Sequence, residues 1–207
     1  MKAFIYCGGD VLAENITEHP GAEDLSIAAD SGYLNARALG ARVDVLVGDL
    51  DSLGSAGVPS GIELIKLECE KDFTDTQAAV EIAIERGADD IVIVGGIGSR
   101  LDHTLSTVCI LAYMKKRGIY CVITNGQNRV RYLENDSLLL ARSNFKYLSL
   151  IALDKVCRGV SVEGCKYPLK NAKIMRENQF AVSNEIDGNA ALVSVRRGAM
   201  LVIESRD

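Results

Sequence analysis

Two aspartates placed two positions apart are the first residues in this sequence that suggest chemistry. Asp49 and Asp51 follow an apolar segment that has the character of a buried strand. In an extended chain, side chains two positions apart point the same way, so these carboxylates converge on one point. Converging carboxylates suit Mg²⁺, which takes one or two of them together with phosphate oxygens and water. The alternative is a surface turn with Asp51 or Ser52 as a helix cap, and the pair alone slightly favours this alternative.

A third acid nearby would favour the metal, and Asp72 and Asp75 are the candidates. Asp75 would lie in the first turn of a helix, where the helix dipole favours an acid in any case. Asp72 lacks that explanation. Lys71 could bind a phosphate oxygen as a point charge, although a single lysine is more often solvated.

A glycine-rich segment at residues 95–100 is a candidate phosphate cradle, because glycines let backbone N–H groups approach an anion in front of a helix N-terminus. It is not a P-loop, since no Gly-Lys-Ser/Thr follows, and Leu101 stands where a dinucleotide fingerprint has its third glycine. Arg100 could bind phosphate bidentately. Asp102 could be only the helix N-cap, and His103 only a helix residue. Together these residues favour a metal-dependent enzyme that acts on a polyphosphate.

Short apolar segments alternate with helical patterns over residues 1–127, which predicts a mostly parallel, Rossmann-like α/β domain. A capping box from Thr74 to Gln77 marks the start of the second helix. The third helix is predicted to carry an apolar stripe that includes Leu105 and Cys109. Ligands bind beyond the carboxyl ends of parallel strands, and four of these predicted ends carry acids, glycines or both. The predicted strands are residues 3–7, 25–30, 43–49, 63–67, 91–95 and 120–124, and the predicted helices are residues 31–39, 74–86 and 102–117.

Residues 128–207 show a different pattern, with short strand-like segments separated by turn signals and no helical period. This pattern predicts an all-β sandwich as a second domain. The predicted strands are residues 130–133, 138–141, 147–153, 159–162 and 180–182, with two more within 190–204.

The bulk composition limits the possible functions of the 207-residue chain. A net charge of −5 and scattered Lys and Arg residues argue against a nucleic-acid-binding surface. The six cysteines lack a C-x-x-C spacing and mostly lie in apolar segments, so reduced, buried thiols in a cytoplasmic protein are expected. No segment has the apolar length of a membrane span.

The ordered set of motifs resembles the thiamine pyrophosphokinase family. Single motifs of this kind are weak, but five in the same order are specific, and they span nearly the whole chain. The motifs are ADSG at residues 29–32, GDLDS at 48–52, KDFTD at 71–75, GGIGSRLDH at 95–103 and SNE at 183–185.

The resemblance implies a homodimeric enzyme that transfers the pyrophosphoryl group of ATP to thiamine with Mg²⁺ and releases AMP. It also implies an α/β domain for ATP and metal, followed by a β-sandwich for thiamine and dimerisation. Asp49, Asp51 and Asp75 would bind Mg²⁺. Ser183 and Asn184 would help to hold thiamine across the dimer interface, and Asp75 would also contact thiamine. The ATP and transfer site would include Asp30, Gly32, Lys71, Asp72, Gly96, Gly98, Arg100, Asp102 and Asn125.

Three positions depart from the family pattern: Ser31 and Ser99 stand where glycine is frequent, and Leu50 stands where phenylalanine is usual. These replacements leave the charged groups in place.

Three alternatives remain at this stage. They are a phosphatase of the haloacid-dehalogenase type, a D-x-D glycosyltransferase that acts on a nucleotide sugar, and a non-catalytic thiamine- or nucleotide-binding protein.

Overall fold

The computed structural model describes residues 1–49, 60–68, 70 and 72–207, which divide into two units, residues 1–126 and 127–207. Two of the predicted site residues, Asp51 and Lys71, lie outside the described residues, as do Leu50 and Ser52. None of the helices in the described ranges combines the length and apolar character that crossing a membrane requires.

Six parallel strands form the framework of the first unit, in the order β4-β3-β2-β1-β5-β6. The chain builds outward from β1 through β2, β3 and β4, and then returns to place β5 on the other side of β1. The sheet therefore has a topological switch point between β1 and β5, where α/β proteins bind ligands. The strands are β1 (Lys2–Tyr6), β2 (Leu25–Ala29), β3 (Val45–Gly48), β4 (Glu63–Lys66), β5 (Asp90–Val94) and β6 (Tyr120–Thr124).

Helices cover both faces of this sheet: α1 (Gly32–Ala38), α2 (Asp75–Glu85) and α3 (Leu101–Lys116). Phe4 and Tyr6 of β1 pack with Ala36 of α1 on one face. The side chain of Cys7 points to the opposite face of the sheet from Phe4 and Tyr6, and there it contacts Thr76 of α2. The helix α3 packs beside α2 and β6. Because side chains alternate across a strand, a strand covered on both faces must be apolar throughout. Every residue of β2 is accordingly buried.

The helices confirm one prediction about a helix start, correct another, and correct the predicted buried face of α3. Thr74 is the N-cap of α2, since its hydroxyl accepts a hydrogen bond from the backbone N–H of Gln77 at 3.2 Å. The reciprocal half of the capping box is not formed, because the Gln77 side chain donates to Glu81. Asp102 is not an N-cap, because α3 begins one residue earlier, with Arg100 at the cap position. The predicted stripe of α3 was also wrong. Leu105 and Cys109 are exposed, and the buried face consists of Thr107, Ile110, Leu111 and Met114.

The second unit consists of two antiparallel sheets, ordered β7-β13-β9 and β11-β10-β12-β8. Buried side chains from all seven strands form one hydrophobic cluster, which includes Leu133, Leu150, Val160 and Val193. The strands are β7 (Asn128–Glu134), β8 (Ser137–Ala141), β9 (Tyr147–Ala152), β10 (Val156–Glu163), β11 (Leu169–Met175), β12 (Ala190–Ser194) and β13 (Ala199–Ser205).

The mixed α/β class is confirmed, but the strand predictions for the second unit contain two errors. Residues 180–182 do not form a strand, although the N–H of Leu150 bonds to the carbonyl of Ala181. The strand β11 was missed because its sequence carries Lys170, Asn171 and Lys173 among its apolar residues. These three polar residues are exposed, since β11 is an edge strand of its sheet.

Candidate active site

A cleft of about 370 Å³ opens at the switch point of the first unit, where the carboxyl ends of β1, β2 and β5 meet the first turns of α2 and α3. Five of the predicted site residues line it: Asp30, Asp75, Gly96, Gly98 and Arg100. The remaining lining residues are Cys7, Gly8, Gly9, Asp10, Ala29, Ser31, Thr74, Thr76, Gly95, Ser99, His103, Thr104 and Thr107.

The loop after β1, residues 7–10, forms a wall of the cleft that the sequence-based prediction missed. The backbone N–H of Gly9 donates a hydrogen bond to the carbonyl of Gly95 at 2.9 Å, and this bond joins the loop after β1 to the loop after β5. A Cβ at position 9 would lie 2.4 Å from that carbonyl oxygen and 2.5 Å from the carbonyl oxygen of Ile97. Only glycine fits such a close backbone approach. The available signal was Gly8-Gly9-Asp10 after an apolar strand, the same pattern that marked the other strand ends.

The loop after β5 is fixed by its own glycines and by Thr104. The Thr104 hydroxyl accepts a hydrogen bond from the N–H of Gly98 at 3.1 Å. A Cβ at position 98 would lie 2.9 Å from the Cα of Gly9, and one at position 96 would lie 2.7 Å from a methyl carbon of Thr107. The two loops therefore pack closely, with the backbone of Gly98 against the backbone of Gly9.

Asp30 holds its place in the cleft through a left-handed backbone, with φ of 50°. This conformation costs a residue other than glycine about 1 kcal/mol or more. Hydrogen bonds compensate: its N–H donates to the carbonyl of Val47 at 2.7 Å, and its own carbonyl accepts from Tyr33 at 3.2 Å. Gly48 makes room for it, because a Cβ at position 48 would lie 3.2 Å from the Asp30 Cα.

Arg100 and Asp102 form a two-point ion pair at the edge of the cleft. The Arg100 Nη2 lies 2.6 Å from Asp102 Oδ2, and its Nε lies 3.3 Å from Oδ1. The hydrogen bond from Arg100 lowers the pKa of the Asp102 carboxyl. Both side chains are exposed, so the pair contributes little to stability. Its consequence is positional, since Asp102 orients a guanidinium that lines the cleft.

Five other predicted site residues in the described part of the first unit are not among those lining the cleft: Gly32, Asp49, Asp72, Asp102 and Asn125. Gly32 lies beneath it, where a Cβ would come within 2.0 Å of the Tyr6 carbonyl oxygen. Asn125 is buried at the end of β6, and its carbonyl accepts a hydrogen bond from Leu12. Asp49 directly follows β3, and Asp72 is exposed ahead of α2. Within the described ranges, no three acidic, histidine or cysteine side chains are grouped as a complete metal site.

Ser183 and Asn184 lie in the second unit, beside a smaller apolar pocket of about 100 Å³. Asn184 lines this pocket, and its side-chain amide makes two hydrogen bonds to the backbone of the loop that contains Tyr167. Its Oδ1 accepts from the N–H of Tyr167 at 3.0 Å, and its Nδ2 donates to the Tyr167 carbonyl at 2.7 Å. Ser183 is exposed and adopts a left-handed backbone with φ of 59°. Tyr167 and Phe180 form the aromatic part of the pocket wall.

Comparisons with known proteins identify the family. Residues 20–123 match the family model "Thiamin pyrophosphokinase, catalytic domain", and residues 137–200 match "Thiamin pyrophosphokinase, vitamin B1 binding domain". Thiamine pyrophosphokinase from Bacillus subtilis is 26% identical over 201 residues, which cover 95% of this chain and 94% of the relative.

Solved structures share the fold over the full chain. The crystal structure of thiamin pyrophosphokinase from Geobacillus thermodenitrificans matches with a TM-score of 0.85 and 26% identity, covering 100% of this chain and 98% of that one. The Bacillus subtilis crystal structure matches with a TM-score of 0.88 and 24% identity, covering all of both chains.

A cleft with two glycine loops, acids and an arginine at the switch point of a parallel sheet is typical of an enzyme that acts on phosphorylated substrates. The two family models cover most of the chain, and the chain belongs to the thiamine pyrophosphokinase family. It is a transferase that moves the pyrophosphoryl group of ATP to thiamine, so the phosphatase, glycosyltransferase and non-catalytic alternatives gain no support.

Proposed function

We propose that the cleft of the first unit binds the triphosphate of ATP and is the place where the pyrophosphoryl group passes to thiamine. One observation carries this proposal: the acid- and glycine-bearing ends of β1, β2 and β5 converge in one cleft with the first turns of α2 and α3. Backbone N–H groups and helix N-termini bind phosphate oxygens, and the sheet holds them in place before the substrate arrives.

The donor set of this region fits Mg²⁺, a hard cation that takes oxygen ligands. Asp75 lines the cleft and Asp49 follows the neighbouring strand β3. We assign the metal to these two carboxylates and to Asp51. Phosphate oxygens and water complete the coordination that Mg²⁺ prefers, so a cage made only of protein ligands is not required. When bound, the metal supplies positive charge that offsets the charge on the phosphate oxygens.

The remaining residues of the first unit hold the nucleotide. Gly96 and Gly98 shape the loop that approaches the phosphates, and Arg100 binds a phosphate oxygen with its guanidinium held by Asp102. Gly32 lets α1 start against β1 and so supports Asp30 at the floor of the cleft. Asp72, Lys71 and Asn125 are assigned to the ATP and transfer site on the family resemblance.

The transfer step requires attack by the hydroxyethyl oxygen of thiamine on the β-phosphorus of ATP. The bond from the β-phosphorus to the α–β bridging oxygen breaks, AMP leaves and the hydroxyl proton is released. Arg100 stabilises the negative charge that develops on the phosphate oxygens. Asp75, half-buried in the first turn of α2, orients the attacking hydroxyl.

Thiamine is assigned to the second unit, which we propose is a β-sandwich because its two sheets share one hydrophobic cluster. The Ser183 hydroxyl makes no hydrogen bond to other residues of the described chain, and its left-handed backbone is costly for serine. Strain of this kind at an exposed polar residue supports a role in binding. Asn184 keeps the adjoining loop in shape, and the apolar pocket suits the aromatic rings of thiamine.

Three further features complete the proposal. The first unit is Rossmann-like, given its switch-point topology. The enzyme is a homodimer in which the thiamine-binding residues act across the interface, as the family motifs suggest.

The free thiols of Cys7, Cys121, Cys157 and Cys165 are buried, which supports a reducing, cytoplasmic compartment. Burial raises the pKa of the Cys7 thiol to about 11, so this residue lines the cleft as a neutral group.

A reciprocal pair of variants tests the assignment of the two substrates to the two units. Arg100→Met removes a charged phosphate ligand and should raise the KM for ATP about tenfold or more, with the KM for thiamine unchanged. Ser183→Ala removes a neutral hydrogen bond and should raise the KM for thiamine about threefold to tenfold, with the KM for ATP unchanged.

Steady-state rates of AMP release, with each substrate varied in turn, measure both effects. Arg37→Met and Ser137→Ala are the matched controls, since both side chains are exposed and neither lines the cleft or the smaller apolar pocket. The proposal fails if either variant shifts both KM values equally or shifts the KM of the wrong substrate.

A further inference from the structure

We propose that Asn35 is a positioning residue, whose side-chain amide holds the loop after β1 in the shape that receives the triphosphate of ATP. Asn35 lies in α1 and is not among the residues that line the cleft, so it acts through the loop rather than by touching ATP. The inference rests on the proposed function, because it concerns nucleotide binding in that cleft.

The geometry of the Asn35 amide carries the inference. Its Nδ2 donates to the carbonyl of Cys7 at 2.7 Å and to the carbonyl of Gly9 at 2.8 Å. A primary amide has two N–H donors, and both are used here on carbonyls two positions apart in one loop. The carbonyls that bond to Asn35 are turned toward α1. They are therefore kept away from a bound anion, which carbonyl oxygens repel.

The loop needs such a restraint because of its composition. Gly8 and Gly9 have more backbone freedom than other residues and lose more of it on ordering. Gly9 cannot gain rigidity from a side chain, because a Cβ there would collide with the carbonyl oxygens of Gly95 and Ile97. The backbone bond from Gly9 to Gly95 joins this loop to the loop after β5, and the two bonds from Asn35 join it to α1.

Two substitutions separate positioning from general stability. Asn35→Leu keeps the size of the side chain and removes both donors. Asn35→Asp places a carboxylate against the carbonyls of Cys7 and Gly9 and should be the more harmful of the two. Arg42→Met is the matched control, because Arg42 also donates to two backbone carbonyls, those of Ala22 and Asp24, and does not line the cleft.

The measurement is the affinity for an ATP analogue whose α–β bridge cannot be cleaved, determined by calorimetry with Mg²⁺ below the unfolding temperature of every variant. Asn35→Leu and Asn35→Asp should each weaken binding by about tenfold or more, since each removes two hydrogen bonds that order the loop, and the loss should be larger for Asn35→Asp. Arg42→Met should bind within about twofold of the parent, and the KM for thiamine should not change in any variant.

The outcomes separate this inference from the proposed function. Analogue binding by the parent and equal binding by Asn35→Leu would overturn the inference alone. An equal loss of affinity in Arg42→Met would also overturn it, since general stability would then explain the effect. No analogue binding by the parent would overturn both. If Asn35→Asp does not fold, the uncharged Asn35→Leu decides the question.

Discussion

Asp75→Asn should reduce kcat by roughly 10²–10³-fold while the protein stays folded, a loss comparable to removing one preorganised polar group from an active site. Asp75 lines the cleft from the first turn of α2. The substitution keeps the size of the side chain but removes the negative charge that we propose binds the metal and orients the thiamine hydroxyl. The helix should lose only about 0.3–1 kcal/mol from its interaction with the dipole.

Steady-state AMP release measures the kcat of Asp75→Asn, and thermal unfolding checks its stability. Asp89→Asn is the matched control, because Asp89 is an exposed carboxylate just before β5, paired with the N-terminal amine and away from the cleft. The control should retain the parent kcat. A kcat near that of the parent for Asp75→Asn would remove Asp75 from the catalytic site.

Gly9→Ala should reduce kcat/KM for ATP by about a hundredfold, because a displacement of roughly 1 Å at a reacting group can cost that much. The added Cβ would lie 2.4 Å and 2.5 Å from two backbone carbonyl oxygens, which belong to the loop after β5. Backbone carbonyl groups cannot change rotamer to avoid the added Cβ, as a flexible side chain can. One or both loops must therefore shift. The proposed phosphate-binding loops would then no longer hold the shape that transfer requires.

Gly21→Ala provides the control for Gly9→Ala, since its Cβ would meet only a side-chain oxygen of Asp24, at 3.3 Å. It should change kcat/KM by less than about twofold. Equal activities for Gly9→Ala and the parent would show that the contact between the two loops is not needed for transfer.

The sequence predicted the parts of the first unit that follow local rules. The predicted segments became parallel strands with ends within about two residues of the predicted ones, although β4 is largely exposed, and Thr74 caps α2. The ends of parallel strands meet at one edge of the sheet, so residues as distant as Asp30 and Arg100 could be assigned to one site from sequence.

Features that depend on packing could not be predicted in the same way. The role of the loop after β1 depends on how closely it approaches the loop after β5. The two bonds of Asn35 depend on where α1 lies. The buried face of α3 was wrong because several apolar stripes compete on that helix, and contact with β6 and α2 selects among them. In the second unit, β11 was missed because an edge strand can carry exposed polar residues, which interrupt the apolar pattern of a buried strand.

Product analysis tests the central claim most directly. Purified protein is incubated with ATP, thiamine and Mg²⁺, and the nucleotides and thiamine species are separated by chromatography. The account predicts AMP and thiamine diphosphate in equal amounts, with neither formed when thiamine or the metal is omitted. Formation of ADP, or AMP release that does not depend on thiamine, would contradict it.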